Sequence, residues 1–282
     1  SETFPTMGQS IQLGGGENPT GYYMIGRERQ IGFSDLNGIK IPAAFNGSFG
    51  SFSFTKYTDK NNAGYNASEV EFMPYCYNHI YTGKDSALWL SKDGGLSWAQ
   101  IYKFASGIHK YEISRSNPNV IYVMTDNDLM KTTNGGTSWS VVTLPAGQSK
   151  NFVSISISYT DENVLWITAE GNTNNNRVFK TVNGGSSWIN LTTPLINGKT
   201  YRNIVHQAGT NDGVYIATKG GSIFYRNNTM TDWTSFSAGL PIGNSPLETS
   251  PFYRDGKLRT AGNRGIWEVE FYEDSAPVAQ PT

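Results

Sequence analysis

Ser91-Lys-Asp-Gly-Gly-Leu-Ser-Trp98, Thr132-Thr-Asn-Gly-Gly-Thr-Ser-Trp139 and Thr181-Val-Asn-Gly-Gly-Ser-Ser-Trp188 are three copies of one eight-residue phrase. A looser fourth copy runs Tyr225-Arg-Asn-Asn-Thr-Met-Thr-Asp-Trp233. Successive copies start 41, 49 and 44 residues apart. A period in the forties, carried by a turn and an aromatic, marks a stacked or radial repeat architecture.

The flanks fall into register around the phrase. An apolar run precedes each copy: Ile80-Tyr-Thr82, Val120-Ile-Tyr-Val123, Val164-Leu-Trp-Ile167 and Val214-Tyr-Ile-Ala217. After a polar turn comes a second short run, such as Leu88-Trp-Leu90, Leu129-Met-Lys131, Val178-Phe-Lys180 or Ile223-Phe-Tyr225. The Trp is followed by a further strand, and an alternating one such as Phe152-Val-Ser-Ile-Ser-Ile157 lies upstream. Four short strands in meander order, repeated, predict an all-β fold: a β-propeller with one four-stranded blade per repeat. Weaker copies near residues 23 and 259 bring the visible blades to six, and the parent ring is left open to be larger. We expect the propeller to span residues 1–272. Residues 1–65 form an atypical first blade with an enlarged connection over 45–65, and the Pro-containing stretch 273–282 begins an interdomain linker.

Within the phrase, Gly-Gly supplies the positive φ that a tight turn between third and fourth strands requires. The Asp or Asn before it closes an Asx-type turn, and the Ser or Thr hydroxyl supports it. The Trp buries its ring against the neighbouring strands.

Composition narrows the function classes. The 282 residues carry a net charge of −1 and only 16% charged residues, so the totals show no footprint for nucleic acid or an acidic membrane. No run of 18 apolar residues predicts a transmembrane segment, and no stretch reads as a signal peptide. The single cysteine, Cys76, rules out an internal disulfide framework; Phe72-Met-Pro-Tyr-Cys-Tyr77 reads as a strand with a buried small side chain. The histidines, His79, His109 and His206, fall in separate blades without ligand spacing, so no catalytic metal or cofactor is expected. Asp126-Asn-Asp128 offers oxygen ligands to a structural Ca²⁺ but lacks an EF-hand loop.

The phrase resembles the Asp-box, or bacterial neuraminidase repeat, written Ser-x-Asp-x-Gly-x-Thr-Trp. Ser91, Asp93, Gly95, Ser97 and Trp98 match it with one Ser-for-Thr change. Thr132, Asn134, Gly136 and Trp139, then Thr181, Asn183, Gly185 and Trp188, carry Thr for Ser and Asn for Asp; the fourth copy keeps Asn227 and Trp233. Sialidases, sortilin-type receptors and xyloglucan-cleaving glycosidases share this box. The resemblance implies that it sits on the outer rim as a fold marker, so these residues are expected to be structural and none catalytic. The sialidase setting Phe/Tyr-Arg-Ile-Pro is missing; Tyr253-Arg254-Asp255 is the nearest segment. A glycosidase needs two carboxylates flanking a cleft. Asp85, Asp126, Asp128, Glu170 and Asp212 are the candidates, read as turn residues following the second strand of each blade.

From about residue 70 onward, and above all in Leu258-Arg-Thr-Ala-Gly-Asn-Arg-Gly-Ile-Trp-Glu-Val269, the chain is similar to secreted propeller domains of Bacteroidota-type bacteria. There a segment like Ala276-Pro-Val-Ala279 leads into an immunoglobulin-like PKD module. That likeness implies an extracellular or cell-surface location, other domains of one long polypeptide as partners, and O-glycosylation acceptors at Ser86 and Ser275. The expected function is a non-catalytic binding or structural module with a glycan or protein ligand. The alternatives are a polysaccharide-active glycoside hydrolase and a sortilin-like peptide-binding domain.

Overall fold

The computed structural model describes residues 70–93, 97–145, 151–170, 177–240, 246–252, 256–262 and 265–272, together with four strands nearer the N-terminus. Five sheets have four strands and one has three, all antiparallel meanders, and the described residues contain no helix. The fold is an all-β propeller of four-stranded blades.

The first sheet consists of β1 (Leu13–Gly14), β2 (Gly21–Ile25), β3 (Ile31–Asp35) and β4 (Thr55–Lys56). Its fourth strand falls inside the stretch expected to be a connection. The second comprises β5 (Val70–Met73), β6 (Cys76–Lys84), β7 (Ala87–Ser91) and β8 (Ala99–Lys103). The third comprises β9 (Ile108–Ile113), β10 (Ile121–Thr125), β11 (Leu129–Thr132) and β12 (Ser140–Val141). The fourth holds β13 (Asn151–Ile157), β14 (Leu165–Glu170), β15 (Arg177–Thr181) and β16 (Ile189–Asn190). The fifth holds β17 (Tyr201–His206), β18 (Val214–Thr218), β19 (Ile223–Arg226) and β20 (Thr234–Ser235). The sixth has β21 (Pro246–Phe252), β22 (Lys257–Gly262) and β23 (Gly265–Glu270).

Burial explains the strand compositions. All of β10 and β18 is buried, whereas both residues of β12, β16 and β20 are exposed. These three outer edges are thus only two residues long, too short to template pairing with another chain. The period of two along each second strand divides its side chains between two cores. Ile121 and Val123 pack with Tyr81, Leu88 and Phe104 of the second sheet. Tyr122 and Met124 pack with Phe152, Ile155 and Leu165 of the fourth. Trp166, and then Tyr215, continue the pattern into the next layers. The hydrophobic core is a series of slabs between consecutive sheets.

First strands lie side by side from sheet to sheet. In four consecutive sheets the first-to-second pairing shifts register at one repeat position, passing over His109, Val153, Arg202 and Leu247. A bulge there increases the local twist.

The boxes occupy the turns between third and fourth strands and act between sheets. Gly135 and Gly136 take φ 67 and 96, and Gly184 and Gly185 take 65 and 95. A Cβ on Gly136 would come within 2.9 Å of Ile101 in β8, and one on Gly185 would overlap a Val142 methyl beyond β12. The Trp139 ring lies 4.9 Å from Phe104 and 5.7 Å from Tyr102. Trp188 Nε1 donates to Thr143 O at 2.7 Å, and Trp233 Nε1 to Leu191 O at 2.8 Å. The second, third and fourth boxes therefore fasten their sheets to the preceding ones.

Trp233 is 3% exposed, whereas Trp139 and Trp188 are only half-buried. Trp233→Ala is expected to cost about 3–5 kcal/mol and Trp139→Ala clearly less, because part of the second ring never leaves water. Urea denaturation of the two variants against the parent chain checks both the size and the order.

Candidate binding site

The first strands frame a cavity of about 210 Å³ lined by Glu71, Lys110, Glu112, Arg115, Tyr159, Asn203 and neighbouring residues from five sheets' worth of backbone between β5 and β21. Its polar groups begin as solutions to a backbone problem: an N–H on a first strand facing the next strand needs an acceptor. Glu71 Oε1 accepts from Ile113 N at 3.1 Å, and Glu112 Oε1 from Ile157 N at 3.0 Å. Ser156 Oγ accepts from His206 N at 3.0 Å, and Ser154 Oγ from Ile204 N at 3.2 Å. Asn203 Nδ2 donates to Thr249 O at 2.9 Å. Glu71, Glu112 and Ser156 hold the same repeat position, each opposite an aromatic of the second strand: Tyr81, Tyr122 and Trp166.

An aromatic and cationic stack borders this lining. The Arg115 guanidinium lies 4.5 Å from the Tyr159 ring centre. Tyr159 is 5.6 Å from His206, which stacks on Trp166 at 5.1 Å and 15°. Lys180 Nζ sits 5.3 Å from the Trp166 ring. That lysine is 5% exposed and reaches the next sheet, meeting Asp212 Oδ2 and Asn228 Oδ1 at 2.7 Å each. Lys131 makes the equivalent reach to Asn163 Oδ1 at 3.4 Å. Burial pulls the His206 pKa down to about 4, with Lys180 adding to the fall and Asp212 opposing it.

The box residues form local networks. Asp93 Oδ1 accepts from Ser91 Oγ at 2.7 Å and from Ser97 N at 2.9 Å. Thr132 Oγ1 donates to Asn134 Oδ1 at 2.9 Å and accepts from Gly136 N at 3.0 Å; Thr181, Asn183 and Gly185 repeat both bonds. The fourth copy is wired differently, with Asn227 Oδ1 accepting from Thr229 N and Oγ1. Gly95 lies outside the described residues, as does Ser275. Ser86 sits in the β6–β7 turn, where its carbonyl accepts from Phe104 N.

The five acidic candidates do not converge on the cavity. Asp85, at φ 54, and Asp126 occupy turns after second strands. Asp126 is held by Gly107 N at 2.8 Å and His109 Nε2 at 2.7 Å, which leaves its carboxylate engaged by the protein. Glu170 is the last residue of β14 and pairs with Lys219. Asp212 was expected after a second strand and instead precedes one, in the β17–β18 connection, because its role is to meet Lys180. The cavity residues Glu71, Lys110, Glu112 and Arg115 escaped the sequence reading. The available signal was a Glu at the same place in two successive repeats. Cys76 also departs from expectation: residues 74–75 form a turn, and Cys76 opens β6 half-buried. Among the described residues no three His, Cys, Asp or Glu side chains gather as a metal site.

A family model described as Sortilin, neurotensin receptor 3, matches residues 86–195. Among solved structures, an ancestral GH74 enzyme superposes with a TM-score of 0.64 at 16% identity, covering 96% of this chain and 40% of that one. YCF48 bound to D1 peptide gives 0.62 at 12%, covering 94% and 79%. The extracellular domain of a putative hybrid two-component system from B. thetaiotaomicron gives 0.68 at 11%, covering 98% and 33%. The chain has the β-propeller fold of these structures. It spans less than half the length of the GH74 enzyme. No curated protein matched it in sequence.

Acidification should strain the stack around His206. Between pH 6.5 and about 4 the unfolded chain protonates this histidine and the folded one does not, so stability falls with pH across that window. The shift corresponds to a loss on the order of 3 kcal/mol. Denaturation at pH 7 and pH 4.5 should show a smaller drop for His206→Gln than for the parent; equal drops would contradict the assignment.

Proposed function

We propose that the chain is a non-catalytic binding or structural module of a larger exported or cell-surface protein, with the axial cavity as its ligand site. In this reading the box residues are structural, residues 1–272 form the propeller and 273–282 begin a linker. The observation that carries it is the use of the two cavity carboxylates. Glu71 and Glu112 come from adjacent first strands, and each already accepts a hydrogen bond from the strand beyond. A glycosidase pair instead flanks a cleft from opposite sides, separated by about 5–10 Å across the sugar. The cavity volume points the same way. At about 210 Å³ it is smaller than the ~300–1,000 Å³ usual for whole small molecules. It suits one side chain or one end of a peptide better than a run of sugars. Arg115, Lys110 and the Tyr159 ring offer charge and a flat apolar face for such a group. The match to a sortilin-type model over residues 86–195 and the likeness to a peptide-bound YCF48 support a peptide ligand. The likeness to the extracellular B. thetaiotaomicron domain supports the location.

The test is a pair of assays on the purified chain. Screening an unstructured peptide library by calorimetry should find saturable binders, and Arg115→Ala should weaken them by about tenfold or more. Incubation with xyloglucan should release no reducing ends. Hydrolysis that disappears in Glu112→Gln would replace this reading with the glycosidase one.

A further inference from the structure

Three Asn-Gly pairs fall within the described residues: Asn134-Gly135, Asn183-Gly184 and Asn197-Gly198. Such a pair carries a latent reaction. The glycine has no Cβ to keep its nitrogen away from the side-chain carbonyl carbon of the asparagine before it. What decides the outcome is how firmly the surroundings hold the two reacting groups, and the three pairs differ in this.

In the boxes both groups are tied. Gly135 N donates to Asn119 O and Gly184 N to Asn163 O, at 2.9 Å each. The side-chain amides are held as well, Asn134 Nδ2 to Ser138 Oγ at 2.9 Å and Asn183 Nδ2 to Ser187 Oγ at 2.8 Å. Neighbours also crowd these glycines: a Cβ on Gly184 would lie 2.5 Å from Lys131 Nζ, and one on Gly135 3.6 Å from Asn119 Oδ1.

Asn197-Gly198 stands at the tip of the β16–β17 connection, where Lys199 N donates to Ile196 O and Gly198 holds φ 75. Among the described residues no hydrogen bond ties the Gly198 N–H or Asn197 Nδ2. A Cβ on Gly198 would meet nothing within 4 Å, so the tip has room to flex. The base is firm: Ile196 is fully buried, and its carbonyl accepts from Tyr201 Oη at 3.1 Å. One group does reach the side chain. Arg177 Nη1 donates to Asn197 Oδ1 at 3.2 Å.

We propose that Asn197 is a self-modification site of the folded chain, its amide converted to a carboxylate with water as the only co-reactant. The Gly198 nitrogen gives its proton to water and bonds to Asn197 Cγ, and Nδ2 leaves as ammonia. Water then opens the five-membered imide, leaving an aspartate linked through either of its carboxyl groups. No oxidation state changes. The Arg177 guanidinium stabilises the charge that builds on Oδ1 during the attack, and afterwards pairs with the new carboxylate. Because nothing packs on the tip and Ile196 anchors its base, the conversion needs no unfolding.

The experiment incubates the purified full chain at mildly alkaline pH and follows each Asn-Gly peptide by mass mapping. Position 197 should convert at least about tenfold faster than 134 or 183, since each box pair must first give up two hydrogen bonds. In concentrated urea the three rates should converge, because only the shared local sequence then matters. Isoelectric focusing should show a single more acidic species before any second one. Arg177→Ala should slow conversion at 197 several-fold and leave the boxes unaffected; an unchanged rate would overturn the part given to the guanidinium. A box asparagine that converts as fast as 197 in the folded chain would overturn the site. So would a 197 amide that survives folding conditions while the unfolded chain loses it. Asn197 is not in the cavity lining, so this site and the binding reading stand or fall separately.

Discussion

The third, fourth and fifth sheets each bury side chains against the sheet on either side, and this shapes the rest of the described molecule. Alternate residues of a second strand serve different cores, so Ile121 belongs with the sheet before it and Tyr122 with the sheet after. No sheet can bury its own surface. Stability must therefore reside in the seams, and the seams are fastened in both directions. The boxes reach backward, through Gly136 against Ile101 and through the indole bonds of Trp188 and Trp233. The third-strand lysines reach forward, Lys131 to Asn163 and Lys180 to Asp212. Burying Lys180 would be costly by itself; an ion pair, an amide oxygen and the Trp166 face together offset the lost hydration.

The axial lining follows from the same seams. First strands of neighbouring sheets run side by side without forming one continuous sheet. Their facing N–H groups would be orphaned without side-chain acceptors, and Glu71, Glu112, Ser154 and Ser156 supply them. Polarity at the centre is thus first a structural requirement. A small polar cavity arises as its by-product, with Lys110, Arg115 and Tyr159 in its lining.

What was legible in the sequence was local. Gly135-Gly136 and Gly184-Gly185 announce positive φ from residue type alone, and the strand runs around them follow from burial. Even the Asp-to-Asn change is readable in hindsight. Asp93 accepts the Ser97 hydroxyl, whereas Asn134 donates its amide to the Ser138 hydroxyl, and the turn keeps its shape with the bond reversed. The site was not legible, because its bonds join residues far apart in the chain. Glu112 meets Ile157 and Lys180 meets Asp212, and no spacing rule pairs them until the sheets are set side by side. The turn at residues 74–75 was hidden for a different reason. Reading residues 72–77 as one strand put Met73 and Cys76 on opposite faces, and only the turn at Pro74 and Tyr75 brings them onto one.

The sixth sheet shows that the seam, and not the box, is what the fold demands. No box follows β23 among the described residues. Phe271 N bonds Gly256 O, and the chain then turns Tyr272 back toward the fifth sheet. The Tyr272 ring stacks on Tyr225 at 4.2 Å, its N–H reaches Tyr215 Oη at 2.8 Å, and its carbonyl accepts from Gln207 Nε2 at 3.2 Å. An aromatic ring laid on the preceding sheet and pinned by hydrogen bonds is what Trp188 and Trp233 provide earlier in the chain. Here a tyrosine does it from a strand end, with no glycine pair and no Asx turn. The repeat can lose its motif at that position because the physical task, closing one slab of core against the next, has been taken over by other groups.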